Sequence, residues 1–199
     1  PQLVVAGQGI DPRRFARDAP EAELAFSGAF QSDADNRLIG NLAVVNRLPG
    51  RLDQHRLPMA GLTAAVGGDA DHARAQHLQL DLGAAGKLAG EAEWQRGRFS
   101  ASLAGEALDL AALDRRFARS RLRLGAQLGG DLHEQTAELA LGDVWGAGNL
   151  RLVHTADEIR LDHLRFWGAA GRVDATGRWR PVCSGANSTT YVEAQNAHV

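Results

Sequence analysis

Apolar or small residues stand at every second position through most of this chain, and two stretches carry the pattern best. Residues 82–94 read LGAAGKLAGEAEW, and residues 167–179 read WGAAGRVDATGRW. In each, Gly-Ala-Ala-Gly leads a period-two run: Gly86, Leu88, Gly90, Ala92 and Trp94 in one, Gly171, Val173, Ala175, Gly177 and Trp179 in the other. Such alternation gives a β-strand one dry face, and a helix does not satisfy it. A second phrase, Arg13-Arg14-Phe15-Ala16-Arg17, returns letter for letter as Arg115-Arg116-Phe117-Ala118-Arg119. The chain therefore reads as two divergent copies of one module, over about 11–94 and 114–179, the first lengthened by the insert NRLPGRLDQHRLP at 46–58.

The expected organisation is a strand remnant at 1–10, one β module at 11–107, a second at 108–180, and an atypical tail at 181–199, non-native in composition, where the only cysteine, Cys183, and the only tyrosine, Tyr191, both lie. Because the chain opens at Pro1 inside the apolar run LVVAG, it is read as a piece of a longer protein. Without the tail there is no cysteine, which excludes a disulfide scaffold and a thiolate metal site and fits an oxidising compartment such as the periplasm. A net charge of −2 leaves no electrostatic footprint for nucleic acid. No apolar run approaches the ~20 residues of a membrane helix.

Strands are expected around 3–6, 24–30, 38–44, 62–66, 78–82, 86–94, 99–103, 122–128, 137–141 and 144–152, then at 159–161, 164–166 and 171–179; only 108–117 has helical spacing. Short strands joined by tight polar turns predict an all-β antiparallel meander. Each strand has one dry face, mostly Leu, and one wet face of Arg, Asp, Glu and Gln. With no helix to cover the dry side, the sheet either closes as a sandwich or curls into an elongated open trough, β-taco-like, with an apolar interior. Glycines on the dry face, at 28, 40, 86, 90, 105, 146, 148 and 177, favour the trough because they leave room and permit curvature. The candidate groove lining is Leu24, Phe26, Leu42, Leu78, Leu80, Leu82, Leu88, Trp94, Phe99, Leu103, Leu122, Leu124, Leu128, Leu139, Leu141, Leu150, Leu152, Leu161, Phe166, Val173 and Trp179.

Catalytic and metal motifs fail on inspection. His133-Glu134-Gln135-Thr136-Ala137 lacks the second histidine of a zinc-protease helix. Gly146-x-Gly148 has Arg151 where a dinucleotide loop needs glycine, and Asp33-x-Asp35 has Leu38 where a calcium loop needs one. His72, His77, His154 and His163 are scattered on the wet face, and Asp69 and Asp71 sit in a Gly-rich turn. The expectation is a chain without enzymatic activity, cofactor or metal.

The insert at 46–58, with its Asn-x-x-Pro-Gly-x-Leu-Asp phrase, the opening GIDPRRF at 9–15 and the strand GRVDATGRW at 171–179 together resemble the TamB family of the AsmA-like group. The resemblance runs over about 3–180. It implies a segment of a periplasmic bridge of a Gram-negative bacterium, anchored in the inner membrane elsewhere in the full protein. Such a bridge conducts phospholipids toward the outer membrane by binding acyl chains in a curled sheet, and supports assembly of autotransporters and other outer-membrane proteins. A TamA-like outer-membrane barrel is the implied partner, through segments not in this chain. Two other architectures compete: a secreted passenger or adhesive β-domain with a self-filled core, and an outer-membrane barrel, which the 6% aromatic content disfavours.

Overall fold

The computed structural model describes residues 2–15, 19–34, 37–169, 171–181 and 190–198. They form one antiparallel sheet in which every strand pairs with its neighbours in sequence. In order these are β1 (Gln2–Ile10), β2 (Leu24–Ser32), β3 (Leu38–Asn46), β4 (Gly61–Gly68), β5 (His72–Asp81), β6 (Lys87–Gln95), β7 (Arg98–Leu108), β8 (Leu122–Gly130), β9 (Glu134–Gly142), β10 (Gly146–Thr155), β11 (Ile159–Gly168), β12 (Gly171–Pro181) and β13 (Thr190–His198). The first and last strands are not paired with each other, so the sheet is not closed into a barrel. Contacts between elements run almost entirely between consecutive strands. Cys183, Asp35, Ala16 and Arg17 lie outside the described residues.

The expected all-β antiparallel meander is therefore present, with boundaries that differ in an instructive way. The segments 159–161 and 164–166 belong to one strand, β11, and β5 begins at His72, six residues before the apolar run at Leu78. In both, apolar positions change parity: Ala73 and Ala75 are followed by Leu78 and Leu80, and Ile159 and Leu161 by Leu164 and Phe166. A bulge of one residue at each change restores the dry side chains to the same face. His77 takes φ 51 at one such place, and Ala107 takes φ 56 between Gly105 and Leu108 in β7. The helical spacing of 108–117 survives as a single turn, α1 (Leu110–Leu113), because Leu108 still belongs to β7. Residue 107, the expected module boundary, falls inside that strand, and the sheet crosses it unbroken.

The two Gly-Ala-Ala-Gly segments fold differently: Gly86 precedes β6, whereas Gly171 opens β12. The first is a 3-10 turn (Gly83–Ala85) whose entry is fixed by Asp81, which accepts the Gly83 N–H at 2.8 Å. The second has no such acid, and Gly168 pairs directly with Gly171. Arg96 and Gly97, φ 46 and 84, make the two-residue β6–β7 hairpin turn that their positive angles favour. The repeated Arg-Arg-Phe phrase also shifts on folding. Asp11 accepts hydrogen bonds from Arg13, and Asp114 from Arg116, so the structural equivalents lie one position away from those matched by letters.

The insert is a latch. Buried Asn46 accepts the N–H groups of Glu23 and Leu48 at 3.1 and 3.0 Å and donates to the Leu57 carbonyl at 3.2 Å. Asp53 takes the guanidinium groups of Arg51 at 2.9 Å and, 62 positions away, Arg115 at 2.8 Å. The characteristic Asn and Asp of the phrase thus hold loops together.

Candidate functional site

Pairing in an antiparallel sheet puts directly opposed residues on one face, so the ladders show which side chains meet. One row runs across twelve strands: Gly7, Phe26, Val44, Leu62, Leu80, Leu88, Gly105, Leu124, Leu141, Gly148, Phe166, Val173. A parallel row passes from Leu78 through Gly90, Leu103, Ala126, Leu139, Leu150 and Leu164 to Ala175. Another passes from Leu3 through Phe30, Gly40 and Val66 to Ala75, Ala92, Ala101, Leu128, Ala137, Leu152, Leu161 and Gly177. None of these rows contains a polar residue. The first polar pair on this face is Gln135 and His154, opposed near the far end of β9 and β10 and hydrogen-bonded at 2.6 Å.

Of the groove candidates, Leu24, Phe26, Leu42, Leu78, Leu80, Leu88, Trp94, Phe99, Leu103, Leu122, Leu124, Leu128, Leu139, Leu141, Leu150, Leu152, Leu161, Phe166, Val173 and Trp179 all share this face. Leu82 does not. It follows the end of β5, and its N–H closes the turn on the Gly86 carbonyl at 2.9 Å. Val144 was expected to begin a strand; it lies instead in the β9–β10 turn, 90% exposed. Most of the shared face is half-buried, with Leu88 and Leu108 the most enclosed of its large side chains.

The glycines on this face do not leave room in the way their size suggests. A Cβ on Gly28 would strike the Phe30 ring, on Gly105 the Leu88 side chain, and on Gly148 both Phe166 and the Arg165 carbonyl. On Gly40 and Gly90 it would collide with the backbone carbonyls of Ala29 and Ser102. These positions are glycine because a neighbouring strand or ring already occupies the space. A depression of about 380 Å³ does remain at one edge, between Leu3, Phe30, Leu38, Val66 and Ala73.

The opposite face corrects a second expectation. From β5 onward it carries charged residues, but on β1 to β4 the paired residues are Val4, Ala29, Asn41, Ala65 and their neighbours, with no charge among them. A depression of about 560 Å³ lies there, lined by small residues such as Ser27, Ala43 and Thr63. Uncharged residues at every second position of 25–31 and 39–45 were the available signal.

Charged groups cluster at the loops and on the charged face. At the loops, hydrogen bonds from the Arg116 side chain and then its N–H hold the Asp114 carboxyl down at about 2, and Arg115 followed by Arg51 lowers Asp53. On the charged face a chain runs from Glu138 through Arg151, Asp162 and Arg160 to Glu158, which also meets Arg178 and Arg180. Arg180 is the main cause of the lowered Glu158 and Arg160 of the lowered Asp162. Arginine thus favours the ionised form of Asp114, Asp53, Glu158 and Asp162, the reverse of what a proton donor near neutral pH requires. His133 stands in a turn and Gly146 and Gly148 in a strand, so neither motif has its helix. His72 pairs with Glu93 at 2.6 Å, and among the described residues no group of three His, Cys, Asp or Glu is placed to hold a metal ion.

No protein-family model, no characterised protein and no solved structure matches this chain.

Proposed function

We propose that the chain is a non-enzymatic segment of a TamB-like periplasmic bridge that carries phospholipids by their acyl chains along its apolar face, curled into a trough. The observation that carries this reading is the set of residue rows crossing twelve strands without a polar side chain. At ~4.8 Å per strand they extend over about 50 Å. Each buried methylene contributes ~0.8 kcal/mol. Because successive positions are chemically alike, a bound chain finds no site far better than the next and can slide. The TamA-like barrel partner and the support of outer-membrane protein assembly belong to the same proposal, through parts of a longer protein. A self-filled passenger domain would bury its dry face, whereas most of the large side chains on this face are half-buried.

The test is a substitution for which the two architectures give opposite outcomes. Arginine in place of Leu80, Leu124 or Leu150 should leave an open sheet folded, since the long side chain reaches water from a half-buried position, and should abolish lipid passage. In a filled core it would bury an unpaired charge at a cost of several kcal/mol. Circular dichroism and melting of each variant are read beside photo-crosslinking to phospholipid from a probe at Leu139. Collapse of all three variants, with no lipid adduct from the folded parent, rejects the conduit.

A further inference from the structure

We propose that the end of the sheet bearing the long connections docks on an anionic phospholipid bilayer through Val144, Trp145 and Phe117, with Arg119, Arg121 and Arg123 at the lipid phosphates. This goes beyond the conduit and does not depend on it. In an antiparallel meander alternate connections fall at the same end, so those after β1, β3, β5, β7, β9 and β11 share one edge. Among the described residues they hold nine arginines against seven carboxylates, whereas the connections at the opposite edge hold two arginines against six.

The acids at the basic edge are already engaged. Asp11, Glu21, Glu23, Asp53 and Asp114 pair with arginines. Asp109 accepts the N–H groups of Ala111 and Ser120, and Asp143 those of Trp145 and Gly146. By contrast, Arg119, Arg121 and Arg123 have no carboxylate within 4.0 Å among the described residues. The charge this edge offers outward is therefore positive.

Exposed apolar side chains collect at the same edge. Trp145 is 73% exposed beside Val144, Phe117 51% and Phe15 83%; among the described residues the connections at the opposite edge hold one large apolar residue, Leu132, with the less exposed strand residues Leu38, Ile39, Trp94 and Phe99 beside them. Arg121, Arg123, Trp145 and Trp167 surround a depression of about 830 Å³, with Glu106 and the engaged Asp143 also on its wall. Aromatic rings with arginine beside them suit the headgroup level of a membrane. The docking rings and arginines sit on two separate connections, those after β7 and β9, and at the start of β8. A peptide would occupy one cleft; a bilayer presents phosphate and apolar depth to both connections.

The full chain is sedimented with vesicles of equal phosphatidylglycerol and phosphatidylcholine, and with phosphatidylcholine alone. Binding to the anionic vesicles is expected, weakening with salt. Val144→Asp with Trp145→Asp should lower it at least about tenfold; Arg121→Gln should lower it about fivefold, the loss of one cation at such a surface. Leu132→Asp at the opposite edge should leave it unchanged, and circular dichroism checks that each variant is folded. A folded parent that ignores anionic vesicles, binding that survives the double variant, or equal loss with Leu132→Asp overturns the proposal. Crosslinking from Leu139 is scored separately, so failure of docking and failure of the conduit are distinguishable.

Discussion

The stretch from β1 to β8 and the stretch from β9 to β12 use the same strand pattern and stabilise it on opposite faces. In the first, long connections close over one end of the apolar face: α1 packs against the Gly83–Ala85 turn, and Ala85 and Leu108 become almost fully buried. In the second the connections are short, and the one fully enclosed hydrophobic side chain among the described residues, Val153, lies on the charged face, which also carries the chain of arginines and carboxylates around Glu158. Loop burial makes the first region a small core. The second remains a nearly bare sheet that depends on pairing with its neighbours and on ion pairs.

The largest expected effect that separates the two regions is a cavity. Leu108→Ala should cost ~2–5 kcal/mol in chemical denaturation, whereas truncating Leu139, half-buried on the same face in the second region, should cost distinctly less. Equal losses would mean that both regions are equally packed. Next comes the latch: Asn46→Ala removes hydrogen bonds to Glu23, Leu48 and Leu57 and should cost ~1–3 kcal/mol. Hydrogen exchange should speed up in the loops at 47–60 and 109–121, and β9 to β12 should be unaffected. Loss of protection throughout the sheet would show instead that the two regions unfold as one unit.

Acid should act on both, with Asp114 giving the clearest window. Its folded pKa of about 2 lies below the ordinary 3.8, so its contribution is complete above the ordinary value and disappears as pH falls from there toward about 2. Melting followed through that interval should lose a step in Asp114→Asn, and an unchanged profile would remove Asp114 as the group responsible. Smallest is Glu158→Gln: its partners Arg178 and Arg180 are exposed and screened by salt. The melting shift should be slight and should vanish at high ionic strength; a large, salt-independent shift would mean that the ion-pair chain is structural in the way the loops are.

Much of the fold was legible because alternation is a local property. Leu24, Phe26 and Phe30, or Leu122, Leu124 and Leu128, declare a dry face without knowledge of their partners. The bulges were not legible. Where Ile159 and Leu161 give way to Leu164 and Phe166, one strand with an extra residue and two strands with a break have the same letters. The role of glycine was also hidden, since whether Gly28 is space or a seat for Phe30 depends on the neighbouring strand. Likewise the uncharged second face of β1 to β4 was written in the sequence but is visible as a surface only once Ser27, Ala43 and Thr63 are brought side by side.

The sequence by itself determined that this chain makes two-sided strands in an antiparallel order, because side chains alternate along an extended backbone and short polar turns return each strand beside the last. Only the tertiary structure decided the registers. Those join dry side chains into rows across twelve strands, bring Asp53 to Arg115, and separate a basic, aromatic edge from an acidic one. The physical reason is that a ladder fixes all its residues together: a slip of one position would turn a whole strand's dry side chains to the other face, so the lowest free energy selects bulges that keep every strand in phase.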